Sequence, residues 1–200
     1  NIRYIGHQMC DGNVADIITT TKFATIVTLV QPPASGKSNT LSKIEEIYSK
    51  QGITVTYVSH DRLVQKWRQD NPSQQNPDGS WPRPDGAWMF KSLQKTFNLG
   101  VATGGLVIVD MCNDSAGMIK NIKATNSKTI VGTFALTEEF KNSKGKLETK
   151  ITEEYKNFCL TNSKNRITAR KCGESTLDTS ISKANEIINT KIIGCTRQIT

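Results

Sequence analysis

Apolar positions in this chain cluster in short runs, and the segments between those runs carry a helical period. Residues 23–30 hold Phe23, Ile26, Val27, Leu29 and Val30 among small and β-branched neighbours. A nearly continuous run of this kind predicts a strand buried on both faces. A loop over 31–37 follows. Residues 38–48 then place Leu41, Ile44, Ile47 and Tyr48 at helical spacing. Gly52 ends that helix, and residues 53–58, with Ile53, Val55, Tyr57 and Val58, predict a second strand. Residues 23–58 therefore read as a β-α-β unit with parallel strands.

The pattern continues in the same alternation. Residues 61–69 read as a helix. Residues 70–86 are rich in Pro, Asn, Gln and Asp and predict a surface loop, functional or disordered at that length. Residues 87–97 offer an apolar side through Trp88, Phe90, Leu93 and Phe97, and predict a helix. The run Leu106, Val107, Ile108, Val109 is a third buried strand, ended by Asp110. A helix over 114–122, a fourth strand over 129–134, a polar turn over 142–146 and a helix over 151–166 follow. A late helix over 179–188 and a short strand over 191–195 close the chain. Strands alternating with helices predict an α/β domain, its mainly parallel central sheet flanked by helices. Residues 1–20 read as a leader, and residues 21–200 as one domain with an inserted loop at 70–86.

Composition narrows the classes. The chain has 200 residues, 36 % of them hydrophobic and 22 % charged, enough apolar material for a core and too much for wholesale disorder. No apolar run reaches the roughly 18 residues of a membrane span, so no membrane partner is expected. There is no secretory signal, and the chain opens on Asn1. The expectation is a piece of a larger polypeptide, with other domains of that polypeptide as partners. The five cysteines, Cys10, Cys112, Cys159, Cys172 and Cys195, are odd in number and never in C-x-x-C spacing. With two histidines they form neither a disulfide framework nor a zinc motif. Reduced thiols in an intracellular compartment, cytoplasmic or nuclear, are expected. The net charge of +8 fits either a polyanionic partner or a lysine-rich solvated surface.

The richest stretch is Gln31, Pro32, Pro33, Ala34, Ser35, Gly36, Lys37, Ser38, between a buried strand and a helix. That is the context of a phosphate-binding P-loop. Free backbone N–H groups at a helix N-terminus attract phosphate. Gly36 lets the backbone approach, Lys37 sets an ammonium against the β- and γ-phosphates, and Ser38 offers a hydroxyl to Mg2+. Pro33, Ala34, Ser35, Gly36, Lys37, Ser38 and Asn39 are the candidate nucleotide-binding residues, for ATP or GTP. The plain alternative is a turn with an exposed lysine.

Three further groups surround this loop. The second strand ends in Ser59, His60, Asp61 and Arg62. In an open parallel sheet, ligands bind beyond the carboxyl ends of the strands. Asp61 there can take a proton from an attacking hydroxyl, with Arg62 holding an anionic group of the acceptor; alternatively, Ser59 or Asp61 caps the next helix. His60 is a lesser candidate for the base. Asp110 ends the third strand in the manner of a Walker-B acid acting on Mg2+, with Asn113 assisting, or else caps the following helix. Arg166 and Arg170 share a helical face and can clamp phosphates as a lid, or form a solvated basic helix end.

In this order the features resemble the polynucleotide 5′-hydroxyl kinase family, including the phage enzyme and the kinase modules of tRNA and RNA-repair ligases. The family loop is Gly-x-Pro-Gly-Ser-Gly-Lys-Ser; Pro33, Ser35, Gly36, Lys37 and Ser38 match it, and Gln31 and Ala34 replace glycines. Ser59 and Asp61 match a strand-end Ser-x-Asp, which implies Asp61 as general base. Asp110 with Asn113 matches the third-strand acid, and Arg166, Arg170, Thr176 and Leu177 match the lid. The resemblance covers residues 23–180 and implies a P-loop kinase fold, an NTP donor with Mg2+, and transfer to a 5′-OH end of RNA or DNA. Val64 stands where the phage enzyme has its acceptor-phosphate arginine, leaving Arg62, Lys66 and Arg68 nearby. A nucleoside or small-molecule kinase, and an NTP-binding or hydrolysing module without a hydroxyl acceptor, are the other classes this core serves.

Overall fold

A computed structural model describes residues 2–4, 24–111, 128–165 and 173–189. In chain order the elements are strands β1 (Ile2–Tyr4) and β2 (Thr25–Leu29), helix α1 (Lys37–Lys50), strand β3 (Val55–Ser59) and helix α2 (His60–Asp70). A short 3-10 turn (Pro72–Gln74) leads to helix α3 (Gly86–Thr103), and strands β4 (Leu106–Asp110) and β5 (Lys128–Gly132) follow. Strands β6 (Thr137–Lys141) and β7 (Leu147–Ile151) and helices α4 (Glu153–Lys164) and α5 (Glu174–Ile188) complete the set.

Five strands form one sheet in the order β1-β5-β2-β4-β3, every pair parallel. The α/β class and the parallel sheet flanked by helices are thus as the pattern predicts. Thr25–Leu29, within the apolar run, form β2, with β4 on one edge and β5 on the other. Its side chains alternate between two cores, as the strand period requires. Val27 and Leu29 join Leu106 and Ile108 under Leu41, Ile44 and Tyr48 of α1. Ala24 and Ile26 join Val58, Val107 and Val109 under Leu93, Phe97 and Val101 of α3. Val30 leaves the sheet and enters a third cluster with Ala135, Ile151, Tyr155, Cys159, Leu177, Ile181 and Ala184. Cys159 is a fully buried thiol in that cluster.

Several boundaries differ from the sequence reading. Part of the leader, Ile2–Tyr4, is the edge strand of the sheet. Helix α3 runs on to Thr103, through Gly100, where a simple pattern ends it near 97. Gly100 packs against β3: a Cβ there would lie 2.8 Å from the Thr56 side chain. Packing, not helix propensity, carries the helix past that residue. Helix α5 begins at Glu174, before the expected start at 179. The hairpin β6–β7 is unpredicted apart from its polar turn at 142–146, where Asn142 accepts from the N–H groups of Lys144 and Lys146. The far edge of β7 is closed by side chains at the end of α5: Asn185 accepts from Ile151 N (2.9 Å), and Asn189 both accepts from Thr149 N (2.8 Å) and donates to its carbonyl (2.7 Å). The helix expected over 114–122 and the strand over 191–195 lie outside the described residues.

The 70–86 loop folds back on itself. Asn76 bonds Ser80 through both backbone and side chain (2.9 Å each), and Trp81 meets Trp67 edge-on at 6.3 Å. Among the described residues, no helix is long and apolar enough to cross a membrane.

Gly105, just before β4, packs closely against Thr54, just before β3. Its carbonyl accepts from Thr25 N (2.8 Å), its φ is 76°, and a Cβ would lie 2.3 Å from the Thr54 carbonyl oxygen. An alanine would be strained in backbone and in space together. Gly105→Ala is expected to cost about 3 kcal/mol or more, a fall of roughly 6–12 °C in melting temperature, read by thermal unfolding. An unchanged melting temperature would contradict this packing.

Candidate functional site

The strand order sets the position of the site. From β2 the chain passes over β4 to reach β3, and from β4 it passes over β2 to reach β5. The connections of two adjacent parallel strands therefore leave in opposite directions. The place between their carboxyl ends is the usual ligand crevice in such sheets. The loop 31–36 and the end of β4 form its two walls.

The first wall is the loop. Gly36 stands at the N-cap of α1 with φ 86°, and its Cβ direction is open. Glycine is needed there for the left-handed backbone, not for room. Among the described residues no side chain caps α1, and no acidic residue sits in its first turn. Its leading N–H groups and the positive end of its dipole thus face the loop. Ser38 and Asn39 are exposed on that first turn, Pro33 is half-buried, and Ala34 and Ser35 are buried. Lys37, the first helical residue, reaches across the crevice and donates from Nζ to the Met111 carbonyl (2.5 Å).

The second wall is β4. Asp110 is buried, and its carboxylate accepts from the Tyr57 hydroxyl (2.8 Å). Burial, and then the Asp110 charge, push the Tyr57 phenol well above the ordinary tyrosine range. Ser59 pairs in register with Asp110, so β3 and β4 end at one level, and Asp61 lies in the first turn of α2 just beyond them. Ser59 is the cap of that helix, its hydroxyl accepting from Arg62 N (3.3 Å). The Asp61 carboxylate is half-exposed, with His60 Nδ1 at 3.6 Å. Of the two capping residues that the sequence allows, Ser59 takes the role.

Arg62 is turned toward α1. Its two terminal nitrogens each donate to Glu45 (2.9 Å), and its guanidinium lies 3.5 Å from the centre of the Tyr57 ring. The Glu45 bond raises the guanidinium further above its ordinary range. An acceptor anion would have to displace Glu45 to use it. Asp110, Tyr57, Arg62 and Glu45 thus form one chain of contacts from β4 through β3 and α2 to α1. Sequence reasoning misses Tyr57 and Glu45 as polar partners, and the only signal is Tyr57 sharing a strand face with Val55. Asn113, Arg166 and Arg170 lie outside the described residues.

Tyr155 of α4 shares the raised phenol, chiefly through burial and then Cys159, against the opposing pull of the Ser35 hydroxyl. A tyrosine held protonated by the fold keeps its proton where the unfolded chain loses it. Its contribution to stability is full below the ordinary tyrosine value, about 10, and is lost as pH rises above it. Melting temperatures are expected to fall above about pH 10. The fall should be shallower in Y57F/Y155F, whatever its stability at neutral pH. Parallel pH profiles for the two proteins would contradict the assignment.

Comparison with known proteins leaves the functional reading to this geometry: no family model matches the chain, and no curated protein matches it.

Proposed function

We propose that this chain is a P-loop kinase that moves the γ-phosphate of an NTP, ATP or GTP, to the 5′-hydroxyl of an RNA or DNA strand. The observation that carries the reading is the meeting of Lys37 with the end of β4 across the crevice between adjacent strands. An ammonium, uncapped helix N–H groups and a buried carboxylate at one sheet end suit a bound triphosphate and its counter-cation. The resemblance of the loop, of Ser59 with Asp61 and of Asp110 to the polynucleotide kinase pattern selects the acceptor class.

In this reading, Lys37 exchanges the Met111 carbonyl for phosphate oxygens. Such an exchange replaces a neutral acceptor by a charged one and favours the bound state. Ser38 and Asp110 offer hard oxygen donors, the ligand type that Mg2+ takes. When bound, the ion would supply positive charge to offset that of the phosphates. Tyr57 occupies one oxygen of Asp110 and so fixes the direction of the other. Asp61, half-exposed at the same sheet end, accepts the proton of the attacking hydroxyl. The hydroxyl oxygen bonds to the γ-phosphorus, the bond to the β–γ bridging oxygen breaks, and NDP leaves. Arg166 and Arg170 follow α4 in the chain and supply further positive charge to the transferring group. The work is mostly positioning and electrostatics.

Labelled γ-phosphate transfer to 5′-OH and 5′-phosphate oligonucleotides tests the whole reading. Label on the 5′-OH strand alone is expected, and equal labelling of free nucleosides would move the protein to the small-molecule kinases. Lys37→Ala is expected to lower transfer by about 10² or more, since one preorganised donor commonly contributes roughly 3 kcal/mol. The fold should survive, because this half-buried side chain lies outside the three apolar clusters.

Asp61→Asn separates a kinase from a plain nucleotide-binding module. It keeps size, and Ser59 already supplies the cap. NTP affinity is expected to stay near normal while transfer falls by about 10² or more. Normal transfer would make Asp61 structural, and a collapse of NTP binding would move it to the nucleotide site.

A further inference from the structure

The loop departs from the glycine pattern at two positions, Gln31 and Ala34, and one helix bonds to both. Gln31 is only 1 % exposed. In the orientation that satisfies every neighbour, its amide oxygen accepts from the Thr133 hydroxyl (2.9 Å) and from the N–H groups of Phe134 (2.5 Å) and Ala135 (3.1 Å). Its amide nitrogen points to the Tyr155 hydroxyl on α4 (3.1 Å). Ala34 has φ 62°, the single non-glycine residue at positive φ among the described residues. Its carbonyl accepts from Asn162 Nδ2 on the same helix (3.2 Å).

Tyr155 and Asn162 are two helical turns apart, so one face of α4 runs along the loop. The side chain at position 31 is taken up by this pocket of polar partners, and so leaves the loop's inner wall as backbone. Ala34 is a different case. An alanine in the left-handed region is strained by its own Cβ, and only surrounding contacts keep it there. The Asn162 bond is such a contact.

We propose that α4 is a brace that takes over the role of the two missing glycines, with Tyr155 and Asn162 as positioning residues that hold the loop in its anion-binding shape. Each acts through the loop residue it bonds, Tyr155 through the Gln31 amide and Asn162 through the Ala34 carbonyl. The brace itself stands on the contacts above, and its effect on nucleotide rests on the phosphate-site reading.

A glycine at position 34 needs no brace, and this provides the test. Asn162→Ala, Ala34→Gly and the double variant are compared in the full chain by thermal unfolding and by calorimetric titration with ATP and Mg2+. Asn162→Ala is expected to lower the melting temperature by roughly 2–4 °C. It should also weaken ATP binding about 5–10-fold, the worth of one hydrogen bond. In the Ala34→Gly background the same substitution should change both quantities far less. Tyr155→Phe, which removes only the hydroxyl, should also weaken ATP binding. Equal losses from Asn162→Ala with and without Ala34→Gly would overturn the brace, because a merely structural asparagine is not rescued by a glycine elsewhere. If the unaltered chain binds no ATP, the phosphate-site reading fails, and the thermal cycle alone decides the brace.

Discussion

Strand β2 has a parallel partner on each edge and a packed layer on each face. Its backbone pairs with β4 and β5, Thr25 N bonds the Gly105 carbonyl, and Thr28 Oγ1 donates to the Val109 carbonyl (3.0 Å). A strand in that position cannot shift register without exposing one of its two cores. It delivers the chain to one place only, the loop at 31–36. The neighbouring strand β4 is held in the same register and delivers Asp110 and Met111 beside it. The closeness of Lys37 to β4 is a consequence of that pairing.

The three apolar clusters divide the labour. Two of them pack the sheet between α1 and α3. The third joins α4, α5 and the β6–β7 hairpin, and it touches the sheet through Val30 at the exit of β2. The loop is thus supported from below by the sheet and from the side by α4. Lys156 ties α4 to α5 through Asp178 (2.7 Å) and Glu174 (3.4 Å), so the side support is itself anchored. Contacts from α4 reach Gln31, which is buried, and Ala34, which stands at φ 62°, at the two positions where the loop pattern has glycine. Glycine permits such a conformation by itself; in the brace proposed above, hydrogen bonds from outside the loop take over that role.

The strands β2, β3 and β4 and the helix α1 are legible in the residues, because their apolar period is strong and is set by burial alone. The loop is legible too, since strand, Gly36, Lys37 and Ser38 occur in fixed local order. The β6–β7 hairpin is not. Thr137, Glu138, Glu139, Phe140 and Lys141 carry no clean alternation, and the strand exists because β7 pairs with it and α5 closes the outer edge. The extension of α3 through Gly100 is hidden for a similar reason, since the fit of a glycine against Thr56 is a tertiary fact.

Arg62 marks the boundary between the two kinds of knowledge. Its position after Ser59 and Asp61 suggests an acceptor contact, yet Glu45, far back along the chain on α1, takes both of its terminal nitrogens. Tyr57 and Asp110 meet from strands that are 53 residues apart at this contact. Local stretches of the chain carry β2, β3, β4 and α1 and the short motif that could cradle phosphate, because period, caps and turns act over a few residues. Only the tertiary structure decided which polar groups meet: Lys37 with Met111, Tyr57 with Asp110, Gln31 and Ala34 with α4. Those pairings depend on strand order and on the angle at which helices pack, and neither quantity is written in any local stretch of the chain.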